Sequence, residues 1–522
     1  MMPSHIGRSL LIPGLVSALA AMTLLYSLSP KAADAAPIPD SPPAVRPDGE
    51  NVGRILALFQ QISQIPRCSK HEDRISAWLV AWARERGFPV KTDDRKNVVI
   101  SVPASKDYEN HPTVVLQAHM DMVCQKTDDS PHDFTQDPIV LVRDGDWLRA
   151  RDTTLGADDG IGIALALALA EDPHTLHPPL ELLATTDEEV DMTGADGLSR
   201  EFLTGRKYLN LDSETEGAVT LGAAGGLKSD LTLPLAFSAL ASDQVVFSLR
   251  IDGLLGGHSG LEIHKNRANA SALLARALSG PIPFRLIRLT GGTAANAITR
   301  SAEMILALAP NRVDALKTRL AAFAQETRNQ YPDEKNLSIT LTGIEKGPDR
   351  AASESDSAKV IKLIVDLPQG VHAWSKEFAG LPETSNNIGV IKTEHDMLSV
   401  TTMQRSFHLE NLEEITRRIE AAASAAGAAS ARRGLFPAWP PNPDSDFYKK
   451  ALVAYERLFQ TPLKTEVLHA GLECGYVAEK YPGIDILSIG PTLEKVHTTE
   501  ERLSVPSLDR VWRFVTELMR DS

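Results

Sequence analysis

Val114-Val115-Leu116-Gln117-Ala118-His119-Met120-Asp121 is an apolar run that ends in two ligand-type residues, two positions apart. A short apolar run of this kind reads as a buried strand. Residues i and i+2 share one face of a strand, so His119 and Asp121 can act together at its end. The same form recurs along the chain. Leu182-Leu183-Ala184-Thr185-Thr186 runs into Asp187-Glu188-Glu189, and Tyr208-Leu209-Asn210-Leu211 into Asp212-Ser213-Glu214. Leu487-Ser488-Ile489 is followed shortly by His497. Between the first two runs, Thr153 to Gly162 sets Asp158 and Asp159 in a glycine-flanked turn ahead of an alanine-rich helix, Gly160 to Leu169.

Helical spacing over Asn51 to Ile62 and Glu72 to Arg86, then apolar runs at 97–102, 113–117 and 180–185, gives strands alternating with helices. That pattern predicts an α/β domain with a mostly parallel sheet. Near Leu221-Gly222-Ala223-Ala224-Gly225-Gly226 the pattern changes. Alternating segments at 245–251 and 338–341, with helices at 267–278 and 313–327, read as a separate, inserted α+β domain. A helical stretch, Glu410 to Arg433, leads to the proline-rich crossing Phe436 to Pro443, and strand character returns at 484–489. The expected division is 48–225 and 437–522 for the first domain and 226–436 for the inserted one.

Arg8, the apolar stretch Leu10 to Leu28 and the small residues Ala32-Ala33-Asp34-Ala35-Ala36 have the parts of a secretory signal, expected over 1–35 with cleavage after Ala35. A proline-rich linker follows at 36–47. The expected destination is periplasmic or secreted, with an uncleaved membrane anchor as the alternative. After cleavage no membrane contact is expected. The 522 residues carry a net charge of -14, which argues against a nucleic-acid partner. Three widely spaced cysteines exclude a disulfide-dense scaffold and a cysteine zinc site, and leave one bridge open.

Taken singly the motifs are ambiguous. His119-x-Asp121 can be structural, one of Asp158 and Asp159 can cap a helix, and Asp187 to Glu189 can be a solvated loop. Jointly they are not. Successive strands of an α/β sheet deliver their carboxyl ends to one place, and three adjacent acids need cations or protons to relieve their repulsion. Two histidines with carboxylates and no cysteine suit a pair of Zn²⁺ ions or similar hydrolytic metals.

These segments, in this order, resemble the M20 metallopeptidases. Ile65-Pro66-Arg67, Lys70-His71-Glu72, Gly256-Gly257-His258-Ser259-Gly260, Gly291 to Ala297 and His469-Ala470-Gly471-Leu472-Glu473 resemble the aminoacyl-histidine dipeptidase, or carnosinase-like, branch. The resemblance covers everything after the linker and makes the first domain catalytic and the inserted one a lid; Asp159 stands where that branch commonly has Asn. It implies that His119, Asp158 and Asp212 hold one zinc and Asp158, Glu189 and His497 the other, with Co²⁺ or Mn²⁺ as substitutes. Asp121 would support His119. Glu188 would be the general base that takes a proton from a metal-bridging hydroxide's parent water, and His258 would stabilise the transition state, often in a partner subunit's site. Asn296, Arg405 and Glu473 would contact the substrate. The implied activity is hydrolysis of Xaa-His and other small dipeptides by a homodimer joined through the lid. The alternatives are an acyl-amino-acid deacylase or carboxypeptidase on the same scaffold, and a non-catalytic peptide-binding protein.

Overall fold

The structure is a computed structural model that describes residues 49–345 and 347–522. The expected signal and linker, 1–35 and 36–47, lie outside the described residues. Two sheets organise the rest, and they separate a catalytic layer from a lid.

The catalytic sheet has eight strands, in the order Val90–Thr92, Val98–Val102, Leu180–Thr185, Val114–His119, Lys207–Asn210, Asp485–Ser488, Ala218–Ala223 and Lys464–Leu468. Its four central strands, from Leu180–Thr185 to Asp485–Ser488, run parallel. Both faces of this sheet are covered, which is why its strands read as continuous apolar runs rather than alternating ones. Val114, Leu116 and Ala118 pack with the helices Glu50–Ser63, Ala157–Glu171 and Val505–Arg520. Val115 faces the opposite cluster with Tyr208, Val477 and Tyr481. The alternation of strand side chains thus splits one run between two cores.

The lid is built on a nine-stranded antiparallel sheet. Four helices, Ala270–Leu278, Val313–Gln330, Glu354–Asp366 and Leu409–Ala426, contribute to its own apolar core. The chain enters the lid at Gly225, directly after the catalytic strand Ala218–Ala223. It returns beside its point of exit, where Ala223 and Trp439 exchange backbone hydrogen bonds of 2.8 and 2.9 Å.

One expectation is corrected here. The stretch Glu410 to Arg433 is not a single helix: it stops at Ala426, and Ala429–Phe436 is a lid strand. Gly427 ends the helix in the left-handed region, φ 79°, a conformation that favours glycine. Ala429 to Arg433 then pairs with Thr232 to Lys228. Local helix propensity loses to an open sheet edge.

Leu116 is fully buried in the central strand. Leu116→Ala is expected to cost about 2–5 kcal/mol, read as an earlier midpoint in urea unfolding followed by tryptophan fluorescence. An unchanged midpoint would remove this strand from the stability-determining core.

Candidate metal centre

Three of the four central strands hand a ligand-type residue to one rim of the sheet. His119 closes its strand, Asp212 follows Lys207–Asn210, and Glu188 and Glu189 follow Leu180–Thr185. Asp158 sits at the start of Ala157–Glu171 but has non-helical angles. His497 arrives from the turn after Leu493–Glu494.

Asp158 is the meeting point. Its Oδ1 lies 2.9 Å from His119 Nε2 and its Oδ2 lies 3.2 Å from His497 Nε2. Asp212 Oδ1 is 3.5 Å from His119 Nε2, and Glu189 Oε2 is 2.9 Å from His497 Nε2. Ligand atoms of His119, Asp158 and Glu189 all lie within 4.8 Å of one another. The adjacent Asp159 takes the capping role instead, accepting from the Gly162 N–H at 3.1 Å. The two aspartates of the turn therefore divide the ligand and cap readings between them.

Charge makes the same case. Burial opposes ionisation of Asp158, but the hydrogen bonds from His119 and His497 hold its pKa well below the usual carboxylate range. Asp212 is pushed well up by burial and by Asp158. Glu214 is raised to about 7 by burial and the nearby Asp158 charge. Glu188 is raised well above its ordinary value by burial and by Asp212, Glu473 and Glu189. A buried surplus of carboxylates with two imidazoles and no thiol fits divalent cations of the hydrolytic kind.

A second layer of residues fixes these donors. The Asp121 carboxylate accepts the backbone N–H of Glu188 at 3.0 Å and of Glu189 at 3.2 Å. Its Oδ1 also faces His119 Nδ1 at 3.3 Å. Asp121 thus ties the histidine to the loop that carries both glutamates, the outer-layer support that metal ligands usually need.

Arg67 and Glu501 were given no role in the sequence reading. Arg67 Nη1 donates to the carbonyls of Met120 and Asp121 at 2.9 and 2.7 Å, and Nη2 donates to the Gly156 carbonyl. Glu501 accepts the N–H groups of Leu155, Gly156 and Ala157 at 2.8, 3.1 and 2.9 Å. Between them they shape the turn before Asp158. Gly156 has φ +67°, and a Cβ there would stand 2.6 Å from Arg67 Nη2. Ile65-Pro66-Arg67 was visible as a matching stretch; no signal marked Glu501. A Cys68–Cys124 disulfide joins the Arg67 loop to the chain just past Asp121, while Cys474 is free and buried.

Glu473 does not reach the cluster directly. It lies beneath it, accepting from Gln117 Nε2 at 2.8 Å and Thr185 Oγ1 at 2.6 Å. Burial raises its pKa to about 7. His258, Asn296 and Arg405 instead line a cleft of about 620 Å³ between lid and catalytic layer, with Val190 and Asp191 on the catalytic side. His258 Nδ1 accepts the N–H groups of Gly260 and Leu261 at 3.2 and 3.1 Å, so its proton resides on Nε2. Burial, then the Arg405 charge, lowers its pKa to about 4 and keeps it neutral. Arg405 is 4% exposed and has no carboxylate partner among the described residues.

A buried cluster of this composition at the carboxyl ends of parallel strands, facing a lid across a cleft, is the site of a metal-dependent hydrolase. The sequence profile of Peptidase family M20/M25/M40 matches residues 115–521, and the chain belongs to that family. It is 39% identical over 469 residues to the cytosol non-specific dipeptidase of Escherichia coli strain K12, covering 89% of this chain and 96% of that protein. The crystal structure of aminoacylhistidine dipeptidase from Vibrio alginolyticus superposes with a TM-score of 0.83 at 36% identity, covering 90% of this chain and 96% of that one. Aminopeptidase PepT from Bacillus cereus, at 18% identity and a TM-score of 0.53 over 90% of this chain and 98% of that one, shares the fold.

The expectation of export is corrected by these relatives: the E. coli protein, matched along almost its whole length, is a protein of the cytosol by name. No helix among the described residues is long and apolar enough to cross a membrane.

Glu501→Ala would leave three buried N–H groups without an acceptor, at about 1–3 kcal/mol each. The expected result is a clear fall in metal content by elemental analysis after dialysis. Full metal content in the folded variant would exclude a positioning role for Glu501.

Proposed function

We propose that the chain is a two-zinc dipeptidase that hydrolyses the peptide bond of Xaa-His and other small dipeptides. The observation that carries this reading is the Asp158 carboxylate, whose two oxygens face different histidines, with Asp212 beside the first and Glu189 beside the second. His119, Asp158 and Asp212 would hold one ion, and Asp158, Glu189 and His497 the other. When bound, two zinc ions, or cobalt or manganese in their place, polarise the scissile carbonyl and bring the pKa of water toward neutrality.

The chain's own groups do the rest. Glu188, held through its N–H by Asp121, takes the proton of the attacking water. It returns that proton to the amine nitrogen as the C–N bond breaks. His258 offers Nε2–H to the oxygen that gains negative charge, in the manner of an oxyanion donor. Arg405, buried and without a carboxylate of its own, suits the substrate's terminal carboxylate. Asn296, on the same cleft wall, would orient the peptide, and Glu473 would support the floor beneath it. The homodimer expected through the lid belongs to this proposal too, and sedimentation that finds a single copy would exclude it.

Glu188→Gln is expected to lower kcat for β-Ala-His and Leu-Gly by about 10²–10⁴ while metal content stays at two zinc per chain. Undiminished turnover would remove Glu188 as the base. Faster turnover of N-acetyl amino acids than of either dipeptide would point to the deacylase instead. Metal-replete protein that hydrolyses none of them would favour a peptide-binding protein.

Metal uptake should depend on pH with a definite sign. Hydrogen bonds to Asp158 and Glu189 raise the His497 pKa to about 11. Burial disfavours a charged His119, but Asp212, Asp121 and Asp158 outweigh it and raise that pKa as well. The His497 ring is therefore protonated in the cation-free protein at neutral pH, and binding must displace that proton. Zinc affinity is expected to weaken in mildly acidic buffer and strengthen in mildly alkaline buffer. Calorimetric titration that finds no pH dependence would contradict this.

A further inference from the structure

The lid wall of the cleft carries more positive charge than a single terminal carboxylate needs. In the strand Met397–Ser406, Thr401, Met403 and Arg405 alternate and so share one face, and all three line the cleft. The neighbouring strand Gly225–Pro234 sets Gly226 opposite Arg405 and Lys228 opposite Met403. On the far side of Lys228 stands Arg433. Lys228 and Arg433 line the same cleft. Two residues of strand separate the Lys228 register position from that of Arg405, about 7 Å.

The three cations differ in their partners. Arg433 is neutralised by Asp230, which it contacts through both Nε and Nη2. Arg405 has no acid beside it and is assigned above to the terminal carboxylate. Lys228 is half-buried, and its side chain makes no hydrogen bond or ion pair among the described residues. Asp191 is the one acid among the residues lining the cleft. It is already paired with Lys70, at 2.6 Å. His258 is neutral and adds no charge. Asp230 also feels the Lys228 charge, but it is already bound by Arg433 and Thr401; a half-buried lysine without an ion pair of its own, on the wall of a substrate cleft, is a receptor for an anion.

We propose that Lys228 forms a subsite for an acidic side chain on the carboxyl-terminal residue of the substrate, so that dipeptides ending in Glu or Asp are preferred to their amide counterparts. The inference rests on the dipeptidase reading, since Arg405 must hold the terminal carboxylate for Lys228 to meet the side chain. Lys228 is a specificity determinant; it is not placed to act on the scissile bond.

The test separates binding from turnover. Ala-Glu and Ala-Gln are titrated calorimetrically into the zinc-loaded Glu188→Gln protein, with and without Lys228→Met. Ala-Glu is expected to bind about tenfold more tightly than Ala-Gln, in line with a charge-assisted contact, and Lys228→Met is expected to abolish the difference. Lys228→Arg should retain it, which guards against a merely structural effect. Equal affinities with Lys228 present, or a preference that survives Lys228→Met, would overturn the subsite. So would an equal loss of affinity for Ala-Ala-Ala, because Lys228 would then be reading a main-chain carboxylate. If the protein with Glu188 intact binds Ala-Glu preferentially but hydrolyses neither dipeptide, the dipeptidase reading fails and the acidic subsite stands.

Discussion

The carboxylate of Asp158, approached by His119 on one oxygen and His497 on the other, is the contact around which the rest of the site is arranged. Buried carboxylates repel one another unless positive charge stands between them. Here that charge has to be supplied within a few ångströms, so every donor must be held against its neighbours' repulsion. Arg67 gathers the carbonyls of Met120, Asp121 and Gly156, and Glu501 gathers three N–H groups of the following turn. The backbone is thereby fixed by groups that are not ligands, leaving the ligand atoms free to face inward.

Beneath the ligands runs a band of neutral polar side chains. Asn210 Nδ2 donates to Gln117 Oε1 at 2.7 Å, Gln117 donates on to Glu473, and Ser488 donates to Asn210 Oδ1. Gln117 and Asn210 are register partners, as are Asn210 and Ser488. Gln117 and Asn210 precede His119 and Asp212 by two positions and so lie on the same faces. A hydrogen-bonded network of this kind ties strand ends laterally, which gives the cluster above it a floor.

Much of this was legible in the sequence because strand ends are local features. The runs into His119, Glu189 and Asp212 needed only a period and a terminus to be recognised, and the sheet brings them together as parallel strands must. The division of labour between Asp158 and Asp159 was legible only through the family resemblance, because by local pattern either residue could cap the helix and the backbone angles decide. Glu501 was invisible for a different reason: its partners are backbone N–H groups some 345 positions away, and such a contact leaves no trace in local composition. Ala429 to Phe436 misled because alanine favours helix, whereas its conformation is set by an edge strand distant in sequence. The strands of the lid sheet that line the cleft were likewise missed as a surface, since register across three strands places Lys228, Arg405 and Arg433 on one wall.

The separation of 339 positions between Asp158 and His497 has a consequence in time as well as in space. A chain emerging from the ribosome can fold its first strands early, since domains tend to form from the amino end. His497, the Glu501 brace and the Ser488 strand arrive last. Until they do, the rim of the sheet has one histidine and an uncompensated group of acids, with no second arm to close it. A chain that stops before His497 thus lacks the second histidine facing Asp158, however well its first strands have formed.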